Sequence, residues 1–144
     1  MTWILHSVIE VSGDPKGQPR PQAFSRGGKA AVYDPGTAEG WKALIALAAR
    51  DHLPAVPLSG PVRVDAEFYF RRPQRLQKKN SPSGFIPHIA RPDIDNCYKA
   101  AADCLTQIGF FQDDASIVET TIRKRYTRID SAPGALIEVY TWSN

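Results

Sequence analysis

Between Val62 and Phe70 the chain alternates without a break. Val62, Val64, Ala66, Phe68 and Phe70 fall on one side, and Arg63, Asp65, Glu67 and Tyr69 on the other. A repeat of two belongs to an extended strand, whose successive side chains point to opposite faces. A helix would scatter the same apolar residues around its circumference. The segment predicts a β-strand with one buried face, and such a strand needs neighbours and a layer to cover it.

The neighbours are legible on either side. "WILHSVIEVS" (3–12) is rich in β-formers and reads as a first strand. "SIVETTIRKRYT" reads as a third, with two possible inward sets: Ile117 with Thr121, Arg123 and Arg125, or Val118, Thr120, Ile122, Lys124 and Tyr126. The second set is the more apolar and is favoured, with Lys124 near an end or a partner. "APGALIEVYTW" returns as the last strand after a turn at Pro133-Gly134. Two helices supply the cover. Thr37 is a plausible N-cap for the first, where Trp41, Leu44, Ile45 and Ala48 recur at helical spacing, and Pro54 and Pro57 end it. Asp93 or Asp95 caps the second, which presents Ile94, Tyr98, Ala101 or Ala102, Leu105 and Ile108 to the core and stops at Gly109. The order β-α-β-α-β-β predicts an α+β fold: a small mixed or antiparallel sheet backed by two helices. Residues 13–36, dense in Pro and Gly, are expected to be a long loop, and 72–90, with three prolines, one glycine and no periodicity, a flexible basic one.

The 144 residues suit a single domain, 1–144, with a genuine core. No apolar run approaches the roughly 20 residues that span a bilayer, and the start lacks the pattern of a secretory signal. The chain reads as cytoplasmic, with no membrane partner. Cys97 and Cys104 are seven positions apart, roughly 10 Å along a helix, too far for a mutual disulfide. They are expected to be small buried side chains. His6, His52 and His88 are isolated, so no zinc pattern exists and any metal would be held by oxygen.

Net charge is +3, and its distribution says more than its size. Arg71, Arg72, Arg75, Lys78 and Lys79 crowd one loop, Arg123, Lys124, Arg125 and Arg128 one strand, and Lys16, Arg20, Arg26 and Lys29 line the N-terminal loop. Such tracts neutralise phosphates, although a solvated loop and the polar face of a strand would look alike. Against this basic background, "RPDIDNCYKAAADCLTQIGFFQDD" gathers five aspartates. Asp95, Lys99 and Asp103 share one helical stripe, Asp93 sits at its mouth, and Asp113-Asp114 follow at the entry to the third strand. Singly these could be a cap, an i,i+4 pair and a turn. Together they repel unless paired, and a hard divalent cation relieves that repulsion. Such an ion polarises a phosphodiester and activates water, while a nearby lysine steadies charge growing on the phosphate.

The same stretch, with "ASIV" after it, resembles the signature of the RusA family of Holliday-junction resolvases. That signature is a D-x-D-N motif, a lysine, an aspartate, and a glycine-led segment ending in two aspartates before a strand. Here these are Asp93, Asp95, Asn96, Lys99, Asp103, Gly109, Asp113 and Asp114. "GQPRPQAFSRGGKAAVYDP" and Trp41 resemble the family's N-terminal loop and first helix, and the 72–90 segment is longer than in compact members. The resemblance implies a Mg²⁺-dependent endonuclease, with Mn²⁺ as a substitute, that cuts four-way DNA junctions by paired incisions in a homodimer. It implies Asp93, Asp95 and Asp114 as metal ligands, with Asp113 the lesser of its pair, and Lys99 as the essential lysine. Asp103 would support Lys99 and Asn96 the helix start. Lys16, Arg20, Arg26, Arg71, Arg72, Arg75, Lys78, Lys79, Arg123, Lys124 and Arg125 would hold the DNA arms. Phe24, Phe85 or Phe110 could wedge into the junction, though Phe110-Phe111 suits the core or a dimer interface better. A DNA-binding dimer without catalysis, or a metal nuclease for other branched nucleic acids, would carry much of the same pattern.

Overall fold

The computed structural model describes the backbone of residues 1–19, 22–26, 29–33 and 38–144, and the side chains of 1–19 and 38–144. The strands are β1 (Thr2–Ser12), β2 (Gln22–Arg26), β3 (Lys29–Tyr33), β4 (Val62–Phe70), β5 (Ile86–Pro87), β6 (Ile117–Tyr126) and β7 (Gly134–Ser143). The helices are α1 (Glu39–Ala49) and α2 (Ile94–Gln107). Five strands form a mixed sheet in the order β1-β7-β4-β6-β5, in which β4 and β6 run parallel and the other neighbours antiparallel. No helix among the described residues is long and apolar enough to cross a membrane.

The alternation of β4 decides the layering. Its five apolar residues are all buried, and they share one cluster with Ile9, Val11, Ile137 and Val139 of the sheet and Trp41, Ile45, Cys97 and Leu105 of the helices. Both helices thus cover the same sheet face. The opposite face of β4 is polar: Arg63 pairs with Asp65 at 2.7 Å, and Glu67 receives Arg123 at 3.3 Å and Arg125 at 3.8 Å. Both cysteines are free and buried, and burial pushes the Cys97 thiol up to about 11, so neither is a ready nucleophile.

Four expectations need correction. The stretch 13–36 is not all loop, because Gln22–Arg26 and Lys29–Tyr33 pair as an antiparallel hairpin; Thr37 and Arg20 lie outside the described residues. In α1 the buried positions are Trp41, Ile45 and Ala49, while Leu44 is exposed; so is Ile94 at the start of α2, whose buried residues are Cys97, Ala100, Ala101, Ala102, Cys104 and Leu105. In β6 the two inward sets are spliced. The register slips where Val62 faces Ile117 but Arg63 faces Glu119, leaving Val118 as the extra residue. One extra residue reverses the side-chain parity: Ile117 packs on the core before the slip, Ile122 and Tyr126 after it, and Val118 is left exposed.

The fourth correction is the 72–90 segment, which is tied down rather than loose. Arg72 is 4% exposed, and its guanidinium donates to the carbonyls of Thr127 (2.8 Å), Leu76 (3.0 Å) and Gly84 (2.6 Å). With three carbonyls held, this side chain staples the loop to the end of β6 and offers little to a phosphate. It leaves the set of DNA contacts.

Candidate active site

The acidic groups reach their places through the two ends of α2. At the N-terminus Asp93 occupies the cap position with extended backbone (φ −65°, ψ 152°), yet its carboxylate makes no capping hydrogen bond. Asn96 fixes the strap before β2, its carbonyl accepting from the Gln18 amide at 2.9 Å. At the C-terminus Gly109 turns with φ +84°, and Phe110 and Phe111 sink into the core. Leu58 grips the same segment through its amide to Phe110 O and its carbonyl to the Gln112 amide. That anchorage delivers Asp113-Asp114 back beside the helix. The Asp113 carboxylate accepts from the Ala115 amide at 2.9 Å, capping a short 3-10 turn that leads into β6.

Asp95, Asn96, Lys99, Asp103 and Asp114 all line one cleft of about 460 Å³. Lys99 reaches Asp103 at 3.7 Å, a half-exposed pair that orients the ammonium more than it stabilises the fold. The hydrogen bond shared with Asp113 raises the Asp114 carboxyl above its ordinary range, the charges of Asp113 and Asp103 add to this, and Lys99 opposes it. Asp113 moves down, chiefly through the Ala115 amide. Tyr98, half-buried beside Asp114 and Asp103, is raised mainly by burial.

Asp93 lines a neighbouring cleft, which shares Gln18, Pro19 and Asn96 with the first and also holds Lys16, Arg71, His88 and Arg91. Among the described residues no three acidic, His or Cys groups close around a single point as a ready metal cage. The donor set still fits Mg²⁺, which is commonly held by one or two carboxylates and completes its shell with water and substrate phosphate. Asp95 and Asp114 in one cleft would hold it, with Asp93 and Asp113 adjoining.

Of the expected DNA contacts, Arg75, Lys78, Lys79 and Arg123 are exposed, and Lys16 and Arg71 stand at the second cleft with Arg71 3.7 Å from Asp14. Arg125 lies half-buried against Glu67 and the Phe85 ring. The side chain of Arg26 and that of Phe24 are outside the description. Sequence reasoning missed Gln18, Pro19 and Tyr98 as cleft lining. The signal was Gly17: a Cβ there would sit 2.7 Å from Pro92 Cβ and 3.1 Å from Asn96 Cβ, so the strap lies directly on the start of α2.

The family model for endodeoxyribonuclease RusA matches residues 12–140. The uncharacterized protein YqaN of Bacillus subtilis (strain 168) is 30% identical over 122 residues, which cover 81% of this chain and 85% of that protein.

Proposed function

Since the chain belongs to the RusA endodeoxyribonuclease family, a family of nucleases acting on Holliday junctions, we propose that it is a Mg²⁺-dependent, homodimeric endonuclease that resolves four-way DNA junctions by paired incisions. The observation that carries this reading is the single cleft shared by Asp95, Lys99, Asp103 and Asp114. Mg²⁺ held there supplies Lewis acidity toward the scissile phosphodiester, and Mn²⁺ substitutes for it. The protein's own groups do the rest. Lys99, steadied by Asp103, faces charge that grows on the phosphate during hydrolysis. Asn96 keeps the strap and the helix start in register. Lys16, Arg71, Arg75, Lys78, Lys79, Arg123 and Arg125 engage phosphates of the arms, so recognition is chiefly of shape.

Paired incisions need two sites facing strands of like polarity, which a two-fold dimer provides. The two buried, unbridged cysteines suit a reducing cytoplasm. The test is direct. Purified protein and a labelled four-way junction are incubated with Mg²⁺ or with EDTA, and the products are resolved on a denaturing gel. Symmetric nicks with Mg²⁺ and none with EDTA are expected. Tight binding without cutting in either buffer would reduce the protein to a DNA-binding module.

A further inference from the structure

Lys124 belongs by sequence to a basic tract, yet its side chain has other partners. It lies on the helix-covered side of β6, between Ile122 and Tyr126, and its ammonium donates to the carbonyls of Ala90 (2.6 Å) and Pro92 (2.9 Å). Its own carbonyl accepts from the His88 amide at 3.5 Å. One residue therefore clamps residues 88–92 twice, and Pro92 is the residue before Asp93. From the other side Gly17 packs against Pro92 and Asn96 with no room for a Cβ. The segment that carries Asp93 is held between strap and lysine.

That clamp matters because Asp93 has no side-chain cap bond to fix it. A cation near a helix N-terminus opposes the helix dipole, so the ammonium is not there to stabilise α2 as such. An ammonium has three N–H groups, and two are committed to carbonyls.

We propose that Lys124 is a positioning residue, which sets Asp93 and the first turn of α2 by holding the Ala90 and Pro92 carbonyls, and is not a phosphate contact. The inference rests on the nuclease reading for its kinetic test and stands apart from it in a second. In Lys124→Met, junction affinity measured in EDTA and its salt slope stay at wild-type values, while cutting at saturating enzyme slows about thirtyfold, the scale of loss for a displaced catalytic group. A salt slope lower by about one, with the saturated rate unchanged, would make Lys124 a phosphate contact and overturn the proposal. Amide hydrogen exchange reads the same clamp without catalysis. The Cys97 amide, bonded to Asp93 O at 3.1 Å, is expected to exchange about tenfold faster in the variant; unchanged exchange overturns the proposal even if the wild type cuts nothing. If Lys124→Met does not fold, Lys124→Arg serves. It keeps the charge and the salt slope but replaces a compact ammonium by a planar fork, so slow cutting is expected and a wild-type rate contradicts positioning.

Discussion

Replacing Gly134 by alanine is expected to cost about 3 kcal/mol or more and to lower the melting temperature by about 10 °C. Gly134 opens β7, facing Ser12 of β1 on one side and Tyr69 of β4 on the other. A Cβ built there would lie 2.2 Å from Val11 O and 3.4 Å from Val11 C. These are backbone atoms inside a hydrogen-bonded ladder and cannot rotate away. Accommodation requires β1 and β7 to part, which also disturbs Val11, Ala135 and Ile137 in the core. Gly40→Ala is the matching control, because it lies in α1 with nothing within 4 Å of its added carbon. It should hold stability or raise it by up to about 1 kcal/mol. Thermal and urea melts measure both. A Gly134→Ala protein that melts like the wild type would mean that β1 and β7 are not in this register.

Asp95→Asn and Asp114→Asn are expected to reduce junction cutting by about a thousandfold, since several kcal/mol of charge stabilisation depend on the cation they would hold. Their effect on the fold should be the opposite of a structural lesion, most clearly at position 114. The Asp114 carboxyl is raised in the folded protein by Asp113 and Asp103, so its ionised form is disfavoured there. Where Asp114 is ionised, asparagine removes a charge the fold resists, and the melting temperature should equal or exceed that of the wild type. As pH falls and Asp114 becomes protonated, the two proteins should converge. Single-turnover cutting alongside melts at neutral and acidic pH checks both halves. A variant that loses activity and stability together would make Asp114 a structural residue.

What the sequence reveals and what it hides follow from how local each cause is. The burial of β4 and the stop of α2 at Gly109 depend on side chains within a few residues, and the fold class followed from them. The splice in β6 does not: one unpaired residue, Val118, is set by the parallel partner strand and leaves no mark in the alternation itself. Arg72 and Lys124 look like any other members of basic tracts. Their roles are fixed by carbonyls that are distant in sequence, Thr127 for the first and Ala90 and Pro92 for the second. The acidic cluster was legible because its charges sit on one helix and the turn after it, whereas the Gln18 strap reaches the same cleft from nearly eighty positions away.

On the proposed function, this carboxylate cleft serves branched DNA rather than DNA in general. The measurement that tests it most directly compares Mg²⁺-dependent cutting of a synthetic four-way junction with that of a linear duplex of the same arm sequence, with every incision mapped to the nucleotide. Paired nicks, symmetric about the exchange point and at least about a hundredfold faster than any cut in the duplex, are the predicted result, a ratio that corresponds to roughly 2.7 kcal/mol of discrimination. Equal rates on the two substrates, or incisions scattered along the arms, would contradict it.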